Sequence, residues 1–326
     1  MARFNPLPGF VWGKDALNSA ATKRSRWLHG YAVFVACMTF LLIFAGALVT
    51  SNDAGLSVPD WPTSFGSFKI PKMVGGVMFE DGHRMIAGAV AALTLILALA
   101  LWAKEDRRWV KWLGWAAVLA VVVQAILGGL GVIYYLPAFF TVAHSCAAEL
   151  YFAIMVSLAI FTSPKWRWDE TKINDPLKPS LESLAVATSV IIFIQILLGA
   201  ASRDNGMSVM PHIAFAAVVL AAVLYLLLRV LRLPGRETRL MLPAIALMIL
   251  LIIQIFLGAG DYVMLMVASN APEPVTPVVI ATVMHVATGA LVFATSIAVT
   301  YQIYRFVSPS AAPVRAVPQK PAVAGS

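Results

Sequence analysis

Long apolar runs dominate the pattern of hydrophobic and polar positions along this chain. Eight of these runs reach about 20 residues, the length that an α-helix needs to cross a hydrocarbon core of about 30 Å. They span 28–50, 79–103, 110–135, 137–162, 181–202, 208–231, 240–267 and 276–305. The pattern therefore predicts an all-α integral membrane protein with eight transmembrane helices and little length left for a soluble domain.

The polar segments between these runs carry positive charge unevenly. Of the 24 Lys and Arg, 20 fall in segments on one predicted side of the membrane and 4 on the other. Cytoplasmic segments of membrane proteins carry the excess of Lys and Arg, so both termini are predicted to be cytoplasmic, in a multi-pass protein of the cell membrane. The net charge of +8 then reflects topology, and no nucleic-acid partner is expected. Because residues 1–27 lack the apolar core of a cleavable signal peptide, the first helix is expected to direct insertion.

Four of the five histidines recur near the starts of four predicted helices. Each is followed, four positions later, by a small residue, and residues four apart share a helix face. Each imidazole therefore borders a low-relief stripe against which a large planar macrocycle could lie. The four histidines are His83, His144, His212 and His285, and the small residues are Ala87, Ala148, Ala216 and Gly289.

An internal repeat surrounds these histidines. A Gln-x-x-x-Gly motif precedes three of them, at 124–128, 195–199 and 254–258, and a weaker version ends at Gly46. Each unit is predicted to be one outward helix, an outer loop and a returning helix that begins near its histidine. Four such hairpins group into two four-helix bundles, 28–162 and 181–305, related by a pseudo-twofold axis. A cytoplasmic segment 1–27, a cytoplasmic linker 163–180 and a disordered cytoplasmic tail 306–326 complete the predicted organisation.

Ligand sites in helical bundles are built from side chains on facing helices, so His83 is predicted to face His144 and His212 to face His285. A single intramembrane histidine is commonly a hydrogen-bonded packing residue, but four at equivalent positions favour ligation of haem iron. Zinc and copper are less favoured, because most of the histidines have no carboxylate or thiolate beside them. The chain has no Cys-x-x-Cys-His motif, which excludes covalent c-type haem.

The two predicted bundles differ at their outer side. The first has a long outer loop, 51–78, and a carboxylate, Glu80, three residues before its first histidine. Glu80 has three open interpretations: a proton-handling group, a hydrogen-bond partner of the imidazole, or an acid that complements the helix dipole, which also suits Asp81. Arg84 and Arg203 are candidate partners for haem propionates, since arginine binds carboxylates bidentately. Arg203 has an alternative partner in Asp204.

At this point the motifs resemble a known family. The stretch GALVTSNDAGLSVPDWP at 46–62, followed by Glu80, His83 and Arg84, is similar to that of the haem A synthases, which serve cytochrome oxidase assembly. The resemblance implies an oxidoreductase that converts haem O to haem A by oxidising the C8 methyl group to a formyl group in two successive steps. It also implies that His83 and His144 hold the substrate haem, that Glu80 is the essential acid, and that His212 and His285 hold haem b.

Cysteine marks a departure from the family. Many members carry a cysteine pair in the first outer loop, where this chain has Val58 and Ser64. The two cysteines present, Cys37 and Cys146, fall in apolar helices and are interpreted as small hydrophobic residues.

Two other functions stay open, a bis-histidine di-haem b electron carrier and a haem-handling scaffold without enzymatic activity. A haem O synthase that hands over the substrate, and a homo-oligomer packed through the glycine-rich run 128–131, are possible partners. The electron donor, the oxygen source and the oligomeric state are not indicated by the sequence.

Overall fold

The computed structural model of the protein describes residues 12–166, 172–203, 207–233, 238–268 and 275–309. Within these ranges eight helices are long and apolar enough to cross a membrane, which confirms the predicted all-α membrane fold. They are α1 (Trp12–Ser51), α2 (Gly76–Lys104), α3 (Arg108–Ile133), α4 (Ala138–Thr162), α5 (Leu181–Arg203), α6 (Met210–Leu231), α7 (Thr238–Val267) and α8 (Thr276–Phe306). Helix α1 begins well before its apolar part, so much of the predicted N-terminal segment 1–27 is helical.

Proline and glycine help to set the helix boundaries. Pro137 is the N-cap residue of α4, and α6 and α8 each carry a proline in their first turn. Proline is tolerated there because the first N–H groups of a helix have no partner within it. Helix α2 follows Gly75, whose φ of 59° lies in the left-handed region that favours glycine.

The helices contact one another in two closed rings. In the first bundle, α1 contacts α2, α2 contacts α3, α3 contacts α4, and α4 contacts α1; α5 to α8 repeat this order in the second bundle. The bundles meet where α1 and α4 contact α8 and where α4 contacts α5. The pseudo-twofold axis and the cytoplasmic position of the termini remain predictions. We call the end of the bundles where the odd helices finish the histidine end, and the opposite end the basic end.

Each bundle has its own buried core, and many large apolar side chains lie on the outside, as expected for a surface in contact with lipid. Because lipid is as apolar as leucine, close packing rather than water exclusion holds such helices together. Gly114 on α3 illustrates this, since a Cβ there would lie 2.8 Å from Leu101 and 3.4 Å from the backbone of Ala98 on α2.

Two short strands tie the basic end together and correct one prediction. Strand β1 (Ile173–Asp175) pairs in parallel with β2 (Val307–Pro309). The sequence places 306–326 in a disordered tail, but α8 continues through Phe306 and Val307 is buried against the second core. Backbone pairing with the segment between α4 and α5 orders these residues; 310–326 lie outside the described residues. Asp175 also forms a buried ion pair of 2.9 Å with Arg229 of α6.

Candidate haem sites

All four predicted histidines lie against a glycine of the preceding helix. A Cβ at Gly46, Gly128, Gly199 or Gly258 would lie 3.1, 3.2, 2.8 or 2.6 Å from Cε1 of the histidine that follows it. Ordinary carbon contacts are about 3.5–4.0 Å, so each glycine provides space that an alanine would fill. The same contact in four hairpins gives the sequence repeat a physical cause. The paired histidines are, in the same order, His83, His144, His212 and His285.

The orientation of the rings leaves one nitrogen for a metal. Nδ1 of His144 lies 3.1 Å from the backbone oxygen of Gln124, and Nδ1 of His212 lies 3.1 Å from that of Gln195. A carbonyl oxygen only accepts, so Nδ1 carries the proton in both rings and Nε2 keeps its lone pair. Histidines that ligate metals typically donate their other N–H in this way.

The remaining two rings follow the same arrangement less tightly. The backbone of Leu42 approaches His83 and that of Gln254 approaches His285, each four residues before the glycine of its hairpin. Among the described residues, Nδ1 of His83 and of His285 makes no hydrogen bond of normal geometry. Packing against the glycine therefore positions both rings.

The histidines meet in the predicted pairs. The ring centroids of His212 and His285 are 6.1 Å apart and their planes are nearly perpendicular, at 83°. Two metal–nitrogen bonds of about 2 Å, plus about 1 Å from each nitrogen to its ring centre, give a centroid separation of about 6 Å. The separation of this pair would therefore allow His212 and His285 to hold one haem iron between them, and the haem would supply redox chemistry there. His83 and His144 lie close enough to interact electrostatically.

Glutamine amides line the second pair. Nε2 of Gln195 lies 3.5 Å from Nε2 of His212, and Nε2 of Gln254 lies 3.3 Å from Nε2 of His285. Amide N–H groups donate, so these contacts also require that the histidine Nε2 atoms accept. Among the described residues, no group of three His, Cys, Asp or Glu is arranged to hold a metal ion. Two imidazoles suit a metal that brings its own equatorial ligands, as haem iron does.

Glu80 does not contact its neighbouring histidine. Its carboxylate is buried, with Oε2 accepting from the backbone N–H of Val58 at 2.8 Å and Oε1 accepting from Arg84 at 2.6 Å. Val58 belongs to the α1–α2 loop, residues 52–75. The carboxylate thus fastens this loop to α2, three residues before His83. Its predicted role as the essential acid remains a prediction.

Arg84 is also engaged by the α1–α2 loop. Its Nη1 donates to the backbone oxygens of Asp60 at 2.9 Å and Thr63 at 3.2 Å. The guanidinium therefore holds two points of the loop besides Glu80. A propionate would compete with these carbonyls, so the role of Arg84 at a propionate stays a prediction.

The interpretation of Asp81 as an acid at the end of a helix is wrong. Helix α2 begins at Gly76, so Asp81 lies beyond the first turn; it is buried and accepts from the Ser64 hydroxyl at 2.5 Å. Within the loop, Asp60 accepts from the backbone N–H groups of Phe65 and Gly66 and from the Thr63 hydroxyl. The hydroxyl and the Gly66 N–H hold the pKa of Asp60 below its usual value, although desolvation opposes them.

The clamped loop packs against α3 at the histidine end. Trp61 lies flat against α3, so close that a Cβ at Gly129 would overlap its ring. Gly129 adjoins Gly128, the glycine that accommodates His144. The loop is therefore packed beside the helix that accommodates His144.

The second bundle contains an acid that the sequence analysis missed. Asp261 on α7 accepts from the Thr282 hydroxyl at 2.7 Å, and Thr282 lies three residues before His285. The sequence analysis named an acid only at the first pair, because Asp261 comes from the neighbouring helix and not from the residues just before His285. Asp261 follows Gly258 by three residues, a position that alignment of the four repeats would have exposed.

Arg203 lies near this acid at the junction of the bundles. It interacts electrostatically with Asp261, and its Nη2 lies 3.4 Å from the Thr50 hydroxyl of α1. Its alternative partner Asp204 falls outside the described residues. Of the two cysteines, Cys146 is buried and Cys37 is exposed; their interpretation as small hydrophobic residues stays a prediction.

Comparison with known proteins gives a consistent picture. Residues 76–209 match the family model of the cytochrome oxidase assembly proteins, COX15-CtaA. A "Heme A synthase" of Lysinibacillus sphaericus is 27% identical over 176 residues, which make up 52% of this chain and 57% of that protein. A "Heme A synthase" of Bacillus pumilus is 31% identical over 149 residues, 45% of this chain and 48% of that protein.

The matched region spans about half the length of these curated relatives. The comparisons confirm the resemblance to the haem A synthase family. The family model covers His83 and His144 and stops just before α6. The pairing of His212 with His285 is therefore supported by the geometry described above and not by this match.

Proposed function

Because the chain resembles the haem A synthase family, we propose that it converts haem O to haem A, oxidising the C8 methyl group of the porphyrin to a formyl group in two steps. The observation that carries this proposal is the combination of two matched histidine pairs with a clamped loop beside the first pair. A di-haem electron carrier would need the two histidine pairs but would not need the clamped loop. The protein is accordingly an oxidoreductase in this proposal.

The two pairs are assigned different haems. His83 and His144, beside the α1–α2 loop, would ligate the substrate, and His212 and His285 would hold haem b as a resident cofactor. Haem b supplies one-electron redox chemistry when it is bound. The protonated Nδ1 of His144 and of His212, each directed at a backbone oxygen, keeps Nε2 as the ligating nitrogen.

The chemistry at the methyl group sets what the chain must provide. Each oxidation replaces one C–H hydrogen of the methyl carbon by a hydroxyl group whose oxygen comes from dioxygen or water, and the two electrons that the carbon loses pass to an external oxidant. The products are first an alcohol and then a geminal diol, which loses water to leave the aldehyde. We assign proton handling or stabilisation of positive charge beside the ring to Glu80, a buried carboxylate three residues before His83. The hydrogen bonds from Val58 and Arg84 hold its two oxygens in place.

The propionates and the membrane orientation complete the proposal. We assign the haem propionates to Arg84 and Arg203, the cations nearest in sequence to the proposed histidine ligands. Arg203 lies beside Asp261 at the junction of the bundles. The uneven distribution of Lys and Arg supports haem sites toward the outer side of the cell membrane. A haem O synthase in the same membrane would supply the substrate, since haem O is too apolar to diffuse freely through water.

The test is the haem content of the purified protein. We would co-express the chain with a haem O synthase in a host that lacks haem A, and extract the bound haems for chromatography. Haem A or its hydroxymethyl precursor beside haem b is expected. Haem b alone, at two per chain with haem O available, would instead establish a di-haem electron carrier, and unchanged haem O would establish a haem-handling protein.

Matched variants assign the sites. His83→Ala should abolish haem A while keeping haem b, and His212→Ala should remove haem b. His29→Ala is the control, because that imidazole lies at the basic end, where its Nδ1 contacts the backbone oxygen of Ala159 at 2.9 Å. Loss of haem b in His83→Ala but not in His212→Ala would reverse the assignment.

A further inference from the structure

A large cavity opens between the two bundles at the basic end, away from the histidine pairs. Its volume is about 1230 Å³, and it is lined by residues of α1, α4, α7 and α8. Small-molecule pockets commonly hold about 300–1,000 Å³, so this cavity suits a larger ligand. It is independent of the proposed haem chemistry.

The polar lining of the cavity is cationic. Lys165, Arg239 and Arg305 surround its opening, with His29 nearby, and no Asp or Glu is among the described residues that line it. Arg305 is buried, donates to the backbone oxygen of Lys165 at 2.8 Å, and stacks 4.7 Å from the ring centre of Phe306. The fold therefore holds Arg305 in place, with Arg239 stacked on the same Phe306 ring and the exposed Lys165 beside it. A group of negative charge is the complementary ligand.

The side-chain oxygen of Gln302 requires a hydrogen-bond donor from the ligand. It precedes Arg305 by one turn and lines the same cavity. Its Oε1 is buried and makes no hydrogen bond among the described residues. A hydroxyl group on the ligand would satisfy this oxygen, since a buried acceptor without a partner is costly.

The rest of the cavity is apolar and has the depth of one leaflet. Along α1 the lining runs from His29 to Leu41, 12 residues apart, which is about 18 Å at 1.5 Å per residue. Half of a hydrocarbon core of about 30 Å is about 15 Å. The deep part is formed by side chains such as Phe40, Phe152 and Leu291, which suit acyl chains.

We propose that this cavity binds an acidic phospholipid of the adjacent leaflet, with its phosphate at Lys165, Arg239 and Arg305 and its acyl chains between the bundles. Basic pockets between transmembrane helices on the cytoplasmic side bind such head groups. A glycerol head group also carries hydroxyls that can donate to Gln302. Since α1 and α4 belong to the first bundle and α7 and α8 to the second, the lipid joins the two.

Cys37 provides a direct probe of occupancy. It is exposed and lines the cavity, whereas Cys146, the other cysteine of the chain, is buried. We would place the full-length protein in nanodiscs of phosphatidylcholine, with or without phosphatidylglycerol, and follow alkylation of each cysteine by an apolar maleimide with mass spectrometry. Phosphatidylglycerol should slow alkylation of Cys37 and leave that of Cys146 unchanged.

Charge variants decide whether the head group is recognised. In the double variant Lys165→Gln, Arg239→Gln, about thirtyfold more phosphatidylglycerol should be required for the same protection, because each cation contributes about a factor of five near a membrane surface. The control Lys104→Gln, Lys111→Gln removes the same charge at the basic end without touching the cavity and should behave as the unmodified protein.

Three results would overturn the proposal. They are equal protection by phosphatidylcholine alone, undiminished protection in the Lys165, Arg239 variant, and recovery of an isoprenoid quinone in place of acidic lipid when the purified protein is extracted. None of these depends on haem A production, so failure here is distinguishable from failure of the proposed enzyme activity.

Discussion

Replacement of Gly258 by alanine tests whether the repeated glycines place the imidazoles. The new methyl group would lie 2.6 Å from Cε1 and 3.1 Å from Nδ1 of His285. Ordinary contacts begin at about 3.5 Å, so the overlap is about 1 Å. Forcing such a group into a packed site costs about 1–3 kcal/mol. A ligand position is tolerated within about 0.2 Å, so a ring displaced by about 1 Å would no longer ligate iron well.

We expect Gly258→Ala to lower haem b occupancy about tenfold, which corresponds to about 1.4 kcal/mol and lies within that range. The expected order of severity follows the distance from each added Cβ to the imidazole, with Gly199→Ala next at 2.8 Å, and Gly46→Ala and Gly128→Ala mildest at 3.1 and 3.2 Å. Bound haem per chain and the low-spin optical spectrum of bis-histidine iron are the measurements.

Gly260→Ala is the matched control on the same helix, because a Cβ there meets nothing within 4 Å. Alanine favours the helix over glycine by about 1 kcal/mol, so neither variant should weaken α7 itself. If Gly258→Ala kept full haem b with an unchanged spectrum, the contact between glycine and histidine would not position His285, and the explanation of the repeat would fail.

Three further perturbations address the α1–α2 loop and the basic end. Arg84→Gln removes the donors to Asp60 and Thr63, and we expect faster limited proteolysis of the loop, whereas Lys72→Gln in the same loop should leave it unchanged. Folding lowers the pKa of Asp60, so its contribution to loop stability is fully present above its usual pKa near 3.8. That contribution is lost as the pH falls through the lower pKa of the folded protein. Asp60→Asn should therefore make loop proteolysis independent of pH in that window, and a pH profile equal to that of the unmodified protein would contradict this. Asp175→Ala leaves Arg229 buried without its carboxylate, and we expect a loss of about 3–5 kcal/mol in reversible unfolding, where a change under about 1 kcal/mol would refute the buried pair as a stabilising contact.

The eight helices and the histidine pairs could be predicted because both follow from local, periodic constraints. A membrane fixes the length of each apolar run, and the positive residues mark the connections. A glycine in each outward helix and a histidine near the start of each returning helix recur in all four hairpins, although the loops between them differ in length. This recurrence predicted that His212 lies opposite His285, as the structure shows. Both patterns repeat along the chain, so each apolar run and each histidine could be compared with its equivalents in the same sequence.

The contacts of Glu80 and Asp261 could not be predicted in the same way. The partner of Glu80 is a backbone N–H in an irregular loop, 22 residues earlier in the chain, where no periodicity applies. Asp261 reaches Thr282 across two helices. The three-residue strands at 173–175 and 307–309 are too short and too far apart to leave a pattern. Such contacts depend on how neighbouring segments pack, which spacing within one segment does not encode.

The two bundles share the contact between a glycine and a histidine, and they differ in the loop that lies beside the first histidine pair. In each hairpin a glycine accommodates an imidazole, and this gives two similar pairs. In the first bundle the α1–α2 loop also places the ring of Trp61 against Gly129, the residue after the glycine that accommodates His144. Glu80 and Arg84, which hold that loop, flank His83 within one turn of α2 on either side. A shift in the loop would therefore act on α2 within one turn of His83, so changes to this loop can alter the first histidine pair while the helices of both bundles stay the same.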